Sequence, residues 1–297
     1  MGVWQEFQNL RQNNYMNTGV TITITEELNK TGLFLETIVF TSLLRHPEFK
    51  VRREEPYSGF TSEGFEGTID VLAISKIHDG LLICIPIECK KADPKQKHWV
   101  FEVRKTEEEP TFPFEYYEAG IQKPNYQKNI FFPSLGYDGM KFFDKAIESF
   151  EFNESTGKLN RNTQLGRPYD AMKQSNEAVS SFVDEKRKRI FEIAGVNVNQ
   201  TDILYIPLVV TTANLYTLEY EAKEIDWVKG EVLADKLKMN EKGWVHFEFP
   251  LPYSLITRTQ GGLGPVKRPS FIVNSNKFQT FILDLIEDCK QYILDSA

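Results

Sequence analysis

The stretch GTIDVLAISKIHDGLLICIPIECKK, Gly67 to Lys91, decides how the rest of the chain is read. Two apolar, β-branched runs flank the turn-forming pair Asp79-Gly80, the pattern of a β-hairpin. Both runs are apolar on both alternations, which places the hairpin in a sheet covered on two faces. Three charges nevertheless lie inside it: Asp70, Glu88 and Lys90. A carboxylate in a covered sheet is costly unless it is partnered or used.

Side chains alternate along a strand, so Glu88 and Lys90 share one face and Cys89 takes the other. On the preceding strand Asp70 shares a face with Leu72 and Ile74. The turn then decides whether Asp70 meets Glu88. A two-residue Asp79-Gly80 loop pairs Asp70 with Cys89. A three-residue His78-Asp79-Gly80 loop pairs Ile77 with Leu81, hence Asp70 with Glu88, and puts Gly80 where a left-handed residue is needed. The second register keeps the apolar faces consistent and is the one expected, unless Pro86 introduces a bulge. Two carboxylates then face each other at roughly 5 Å. Like charges so close repel unless a cation lies between them. Lys90, one diagonal step away, could serve; a Mg²⁺ ion held by hard oxygen ligands answers more fully. The plain alternative is a solvated strand end whose Asp, Glu and Lys are incidental.

Outward from the hairpin, "ELNKTGLFLETIVFTSLLRHP" (Glu27 to Pro47) has Leu35, Ile38, Val39, Ser42 and Leu43 at helical spacing, and Pro47 stops it. "FKVRREEPY" follows as a strand. From Asp93 to Arg167 the pattern loosens into a stretch rich in aromatics, Pro and Gly, an insertion of short elements and not a linker. "RPYDAMKQSNEAVSSFVDEKRKRIFEIAG" carries a helical stripe of Met172, Val179, Phe182, Val183 and Ile190, with Gly195 as its stop. "DILYIPLVVTTANLYTLEY" reads as a long strand region, "SFIVN" as a short strand, and "NKFQTFILDLIEDCKQYIL" as an amphipathic helix with Phe278, Phe281, Ile282, Leu285, Ile286, Cys289 and Ile293 on one stripe. These alternating elements predict a mixed α/β sheet flanked by helices. A single domain over 1–297 is expected, with the insertion at about 93–166 and a C-terminal extension at about 221–297.

At this point the residues resemble a known pattern. "TIDVLAI…ICIPIECKK" is similar to the motif of the PD-(D/E)XK nuclease superfamily, whose members share the restriction-endonuclease-like fold. Asp70 stands at the motif's aspartate, with Ile69 in place of the usual proline, and Glu88-Cys89-Lys90 matches the E-x-K half. The upstream helix resembles the family's first helix, which often carries a glutamate, here Glu36. "AMKQSNEAV" resembles the later helix, from which a glutamine sometimes joins the site, here Gln174. The resemblance covers about Leu28 to Lys91 and Arg167 to Thr212.

It implies that Asp70, Glu88 and the backbone carbonyl of Cys89 hold Mg²⁺ or Mn²⁺. Lys90 would position or deprotonate the attacking water and stabilise charge on the phosphate. Glu36 would bind a second metal or a metal-bound water, and Gln174 would orient the lysine or the water. Lys91, Lys95 and Lys97 follow the motif and are placed for DNA backbone contacts. The expected function is a metal-dependent DNA endonuclease, as in restriction or phage defence, with RNA left open as a substrate. The rival is a non-catalytic nucleic-acid-binding or assembly subunit of the same fold.

Composition limits the field. The chain has 297 residues and a net charge of −7, which speaks against a broad nucleic-acid-coating surface but leaves room for a local basic groove. No apolar run is long enough to span a bilayer. "MGVWQEFQNLRQ" is too polar for a signal peptide, and the three cysteines form no CxxC pair, so a reduced cytoplasmic protein is expected. The four histidines lack zinc spacing. "TQGGLGPVKRP" lacks the ending of a phosphate loop. The basic run in "DEKRKRI" could reach a phosphate backbone or complement a helix C-terminus. The aromatic insertion could contact DNA, form a homodimer interface, or bury its rings within its own subdomain.

Overall fold

The computed structural model describes residues 31–59, 65–94, 97–105, 111–120, 125–132, 135, 144–161, 167–183, 186–226, 228–229, 231–232, 235–251 and 267–294. Helix α1 (Leu33–Leu44) leads into three antiparallel strands, β1 (Phe49–Gly59), β2 (Phe65–His78) and β3 (Leu81–Lys90). Five strands follow: β4 (His98–Lys105), β5 (Thr111–Tyr117), β6 (Asn125–Phe131), β7 (Asp144–Asn153) and β8 (Lys158–Arg161). After α2 (Arg167–Val183) and α3 (Arg187–Ala194) come β9 (Asp202–Tyr205), β10 (Leu208–Thr211) and β11 (Asn214–Glu219). The short β12 (Ile225–Asp226) and β13 (Glu231–Val232) pair only with each other, and β14 (Lys238–Lys242), β15 (Trp244–Pro250), β16 (Lys267–Asn274) and α4 (Phe278–Leu294) complete the chain. Among the described residues, fourteen strands form one mixed sheet, flanked by four α-helices. No described helix is long and apolar enough to cross a membrane.

β3 is the centre. It is buried from Leu81 to Cys89, with β2 along one edge and the segment 202–211 along the other. That segment is two strands and not one long one. β9 runs parallel to Leu81–Cys84 and β10 parallel to Ile87–Lys90. Between them Ile206 donates its N–H to the Cys84 carbonyl, and Pro207 has no N–H to continue the ladder. The sheet forks here. On its far edge β9 takes antiparallel β5 and then β6, while β10 takes parallel β16 and then β15, β7, β4, β11 and β14.

α1 and α4 cover one face, where Leu35, Val39, Leu43, Phe281 and Leu285 meet Val71, Ile85, Ile87, Val210 and Phe271. α2 and α3 cover the other, where Val179, Phe182 and Ile190 meet Leu72, Ile74, Cys84 and Tyr205. Two helical expectations need correction. Ile38, placed on the buried stripe by spacing, is 59% exposed, because α1 is apolar on nearly every side and only its Leu35–Val39–Leu43 line reaches the sheet. The single helix expected over 167–195 is broken after Val183, and α3 then ends at Gly195, whose φ of 70° suits glycine. The basic run at the break is largely occupied: Lys186 donates to the Pro56 carbonyl at 2.6 Å, Arg189 pairs with Glu55 at 2.9 Å, and Arg187 lies over the Tyr117 ring. Phe114 and Phe132 of the insertion join the main core. Phe114 stacks on Phe271 and meets Phe132 edge-on.

In the fork lies a buried ion pair. Arg268 of β16 and Glu115 of β5 are both 0% exposed and 3.1 Å apart. Arg268 also donates to the Asn176 carbonyl and to Ser180 Oγ of α2, so one guanidinium ties both branches of the sheet to a helix. Removing one partner leaves the other charge stranded. Arg268→Met should therefore cost about 3–5 kcal/mol in denaturant unfolding, and the double variant with Glu115→Leu should recover a large part of it.

Candidate active site

The hairpin closes on His78 and Leu81 around Asp79-Gly80, with Gly80 at φ 107°. A register irregularity between Lys76 and His78 absorbs one residue, after which Lys76 faces Leu82 and Val71 faces Ile87. Continued by one step, this register sets Asp70 opposite Glu88. The register that points Asp70 toward Glu88 therefore comes from a two-residue turn with a bulge beside it, and not from the three-residue loop that the spacing suggested. Pro86 sits in regular pairing with Leu72.

The β2–β3 ladder ends at Val71–Ile87, and the charged cluster begins there. Asp70 turns Oδ2 to accept the Cys89 N–H at 2.7 Å. In extended backbone the N–H and C=O of one residue point to the same edge, so the Cys89 carbonyl faces the same gap. Glu88 is only 2% exposed. Its Oε1 lies 2.8 Å from Lys90 Nζ, while Oε2 is buried without a hydrogen-bond partner. Burial, opposed by the Cys89 N–H and reinforced by the Glu36 carboxylate, pushes the Asp70 carboxyl up to about 6. Burial and then the field of Asp70, partly offset by Lys90, push Glu88 up to about 7. Glu36 reaches this group from the first turn of α1, and its Oε2 lies 3.5 Å from Arg53 Nη2 of β1.

The structure adds residues that the sequence did not reveal. Tyr57 of β1 is buried and donates to Glu177 Oε2 of α2 at 3.4 Å. Burial, Glu177 and then Glu88 hold its phenol well above the usual range. Its ring lies against Gly67, where a Cβ would meet Tyr57 Cζ and Oη at 2.6 Å. A glycine inside a strand is the available signal for such a close approach. Gln174 is half-buried on α2, one turn before Glu177, and its side chain makes no hydrogen bond among the described residues. Lys91 is half-buried directly after β3, and Lys97 is exposed with Nζ 3.3 Å from Glu154. Lys95 lies outside the described residues.

Among the described residues, no three His, Cys, Asp or Glu side chains gather in a metal-holding group. The oxygen set here is different: Glu88 Oε2, the second oxygen of Asp70 and the Cys89 carbonyl at the open end of a ladder. All are hard donors, and the unsatisfied Glu88 oxygen is what a Mg²⁺-type ion would satisfy.

Each of the two carboxyls binds its proton more tightly folded than unfolded. Their contribution to stability is therefore complete below the unfolded value near pH 4 and is lost as pH rises through about 6 for Asp70 and about 7 for Glu88. In chelator, Asp70→Asn and Glu88→Gln should raise the thermal unfolding midpoint by a few degrees at pH 8 and leave it nearly unchanged at pH 4. Added Mg²⁺ or Mn²⁺ should stabilise the unmodified protein at pH 8 and not the double amide variant.

A comparison with known proteins finds no significant match to a family model, a curated protein or a solved structure. What the site can do therefore follows from its own geometry.

Proposed function

We propose that this chain is a divalent-cation-dependent endonuclease that hydrolyses phosphodiester bonds in DNA. One observation carries the proposal: Asp70 and Glu88 are desolvated opposite each other at the open end of a ladder, and Lys90 is held on the same face by Glu88. A carboxylate pair in that position calls for a cation, and a lysine beside it calls for an anionic substrate. The element order adds support. With β4–β8 set aside as an insertion after β3, one helix, three antiparallel strands, a helix pair and strands parallel to β3 follow the order expected of the restriction-endonuclease-like fold.

Asp70, Glu88 and the Cys89 carbonyl would hold Mg²⁺ or Mn²⁺, which supplies a Lewis acid for a phosphoryl oxygen and lowers the pKa of a bound water. The chain's own residues do the rest. The Cys89 N–H fixes one Asp70 oxygen and so directs the other into the gap. Glu88 Oε1 holds Lys90 Nζ at 2.8 Å, and from there the ammonium orients the attacking water and meets the charge that grows on the phosphate as the P–O ester bond breaks. Glu36 adds negative charge at the α1 side of the pair. The Tyr57–Glu177 hydrogen bond ties α2 to β1, the strand paired with the one that carries Asp70.

The test is cleavage of plasmid, single-stranded DNA and RNA with Mg²⁺ or Mn²⁺, against a chelator control. Lys90→Ala and Asp70→Ala should each lower metal-dependent cutting of DNA by about 100-fold or more. Cutting that survives both substitutions would overturn the assignment. A folded, metal-stabilised protein that cuts none of these substrates would favour a binding role for the same site.

A further inference from the structure

Parallel register carries the edge of the sheet away from Lys90 in an ordered row. Lys90 pairs with Thr211 of β10, and Thr211 with Asn274 of β16. Val209 and Ile272, two residues before Thr211 and Asn274, pack with Ala171 and Met172 of α2. Alternation therefore puts Thr211 and Asn274 on the face that Glu88 and Lys90 share. Two strand spacings, about 10 Å, separate Lys90 from Asn274. The row is braced at each step. Thr212 Oγ1 accepts the Ala92 N–H at 2.9 Å, and Asn274 donates to the Ala213 carbonyl at 2.7 Å.

Beyond Asn274 the row opens into a cavity of about 380 Å³ lined by the start of β11, the end of β14, the start of β15, the end of β16 and the turn that leads into α4. Its wall includes Trp244, which is buried against Phe281. Two cations line it, Lys242 and Lys277, and neither forms an ion pair among the described residues. Gly243 makes room for one of them, since a Cβ there would meet Lys277 Cγ at 3.0 Å. Of the remaining polar groups, Asn214 turns its amide to the His98 ring at 3.5 Å. Both ends of the Asn274 amide are spent, on Ala213 and on the Asn276 N–H, which fixes the rim. The Asn276 side-chain amide makes no hydrogen bond among the described residues, and the Glu241 carboxylate is exposed beside it.

We propose that this cavity is a nucleotide subsite: Lys242 and Lys277 take a phosphate, and Asn276 with Glu241 takes a base edge. Two lysines alone would suit inorganic phosphate. A free amide and a carboxylate beside them match the mixed donors and acceptors of a base, a carboxylate accepting from an exocyclic amine. The volume is that of a small-ligand pocket. Resting on the nuclease reading, the subsite would hold a unit of the substrate strand about 10 Å from the scissile phosphate at Lys90. The same chemistry would also admit a free mononucleotide.

Binding in chelator tests this without cleavage, using a labelled single-stranded oligonucleotide displaced by deoxynucleoside monophosphates or by inorganic phosphate. Lys242→Ala/Lys277→Ala should weaken oligonucleotide binding about tenfold or more, with the unfolding midpoint unchanged. Asn276→Ala leaves the charge unchanged. It should weaken displacement by mononucleotides and leave displacement by inorganic phosphate as it was. Displacement by free mononucleotides would show that the subsite accepts a single nucleotide, whereas binding of the oligonucleotide alone would show that it needs the strand. Inorganic phosphate displacing as well as mononucleotides would overturn the base-edge assignment. Unchanged binding in the double lysine variant would overturn the subsite while wild-type cleavage kept the nuclease reading. Lysine-dependent binding by a protein that cuts nothing would keep the subsite and remove that reading.

Discussion

A strand buried on both faces and paired along both edges leaves no water for a charge it carries. β3 is such a strand from Leu81 to Cys89, and Glu88 is in it. The arrangement is tolerable only because the β2–β3 ladder stops at Val71–Ile87 and opens a gap in which Asp70, Glu88 and the Cys89 backbone face one another. The cost of desolvation appears as two carboxyls that hold their protons toward neutral pH. Helices cover both faces of β3 and strands pair along both of its edges, which holds that gap in place.

The hairpin was legible because its signals are local: apolar alternation, a turn glycine and charges at a fixed offset. Even there the device differed from the expectation. Pattern constrains which residues face each other more tightly than it constrains how the turn absorbs a residue, and the irregularity near Ile77 belongs to the second kind. Tyr57 and Glu177 were not legible, since they meet across 120 positions of sequence. Arg268 and Glu115 are farther apart still, at 153 positions, and as single charges in apolar surroundings they carry no periodic mark. Ile38 failed for the opposite reason. A helix apolar on almost every side offers several equally good stripes, and only the sheet beneath selects one.

The basic run shows how a charge pattern yields to tertiary structure. Three of its four cations, Lys186, Arg187 and Arg189, are drawn onto β1 and Tyr117, where they hold the start of α3 against the sheet. The row from Lys90 to Lys277, by contrast, follows strand ends that no linear pattern connects.

The fork at Ile206-Pro207 has a consequence for how the molecule is assembled. β4, β7, β11 and β14 reach β10 through hydrogen bonds only by way of β15 and β16, among the described strands. The last strands in sequence are thus the bridge in space, and β16 docks parallel to a strand made some sixty residues earlier. Such pairing raises the contact order and delays closure of the sheet until β16 has been synthesised. Until then the hairpin that carries Asp70 and Glu88 can form, but half of its scaffold remains a separate fragment with unpaired edges, exposed to chaperones and to aggregation.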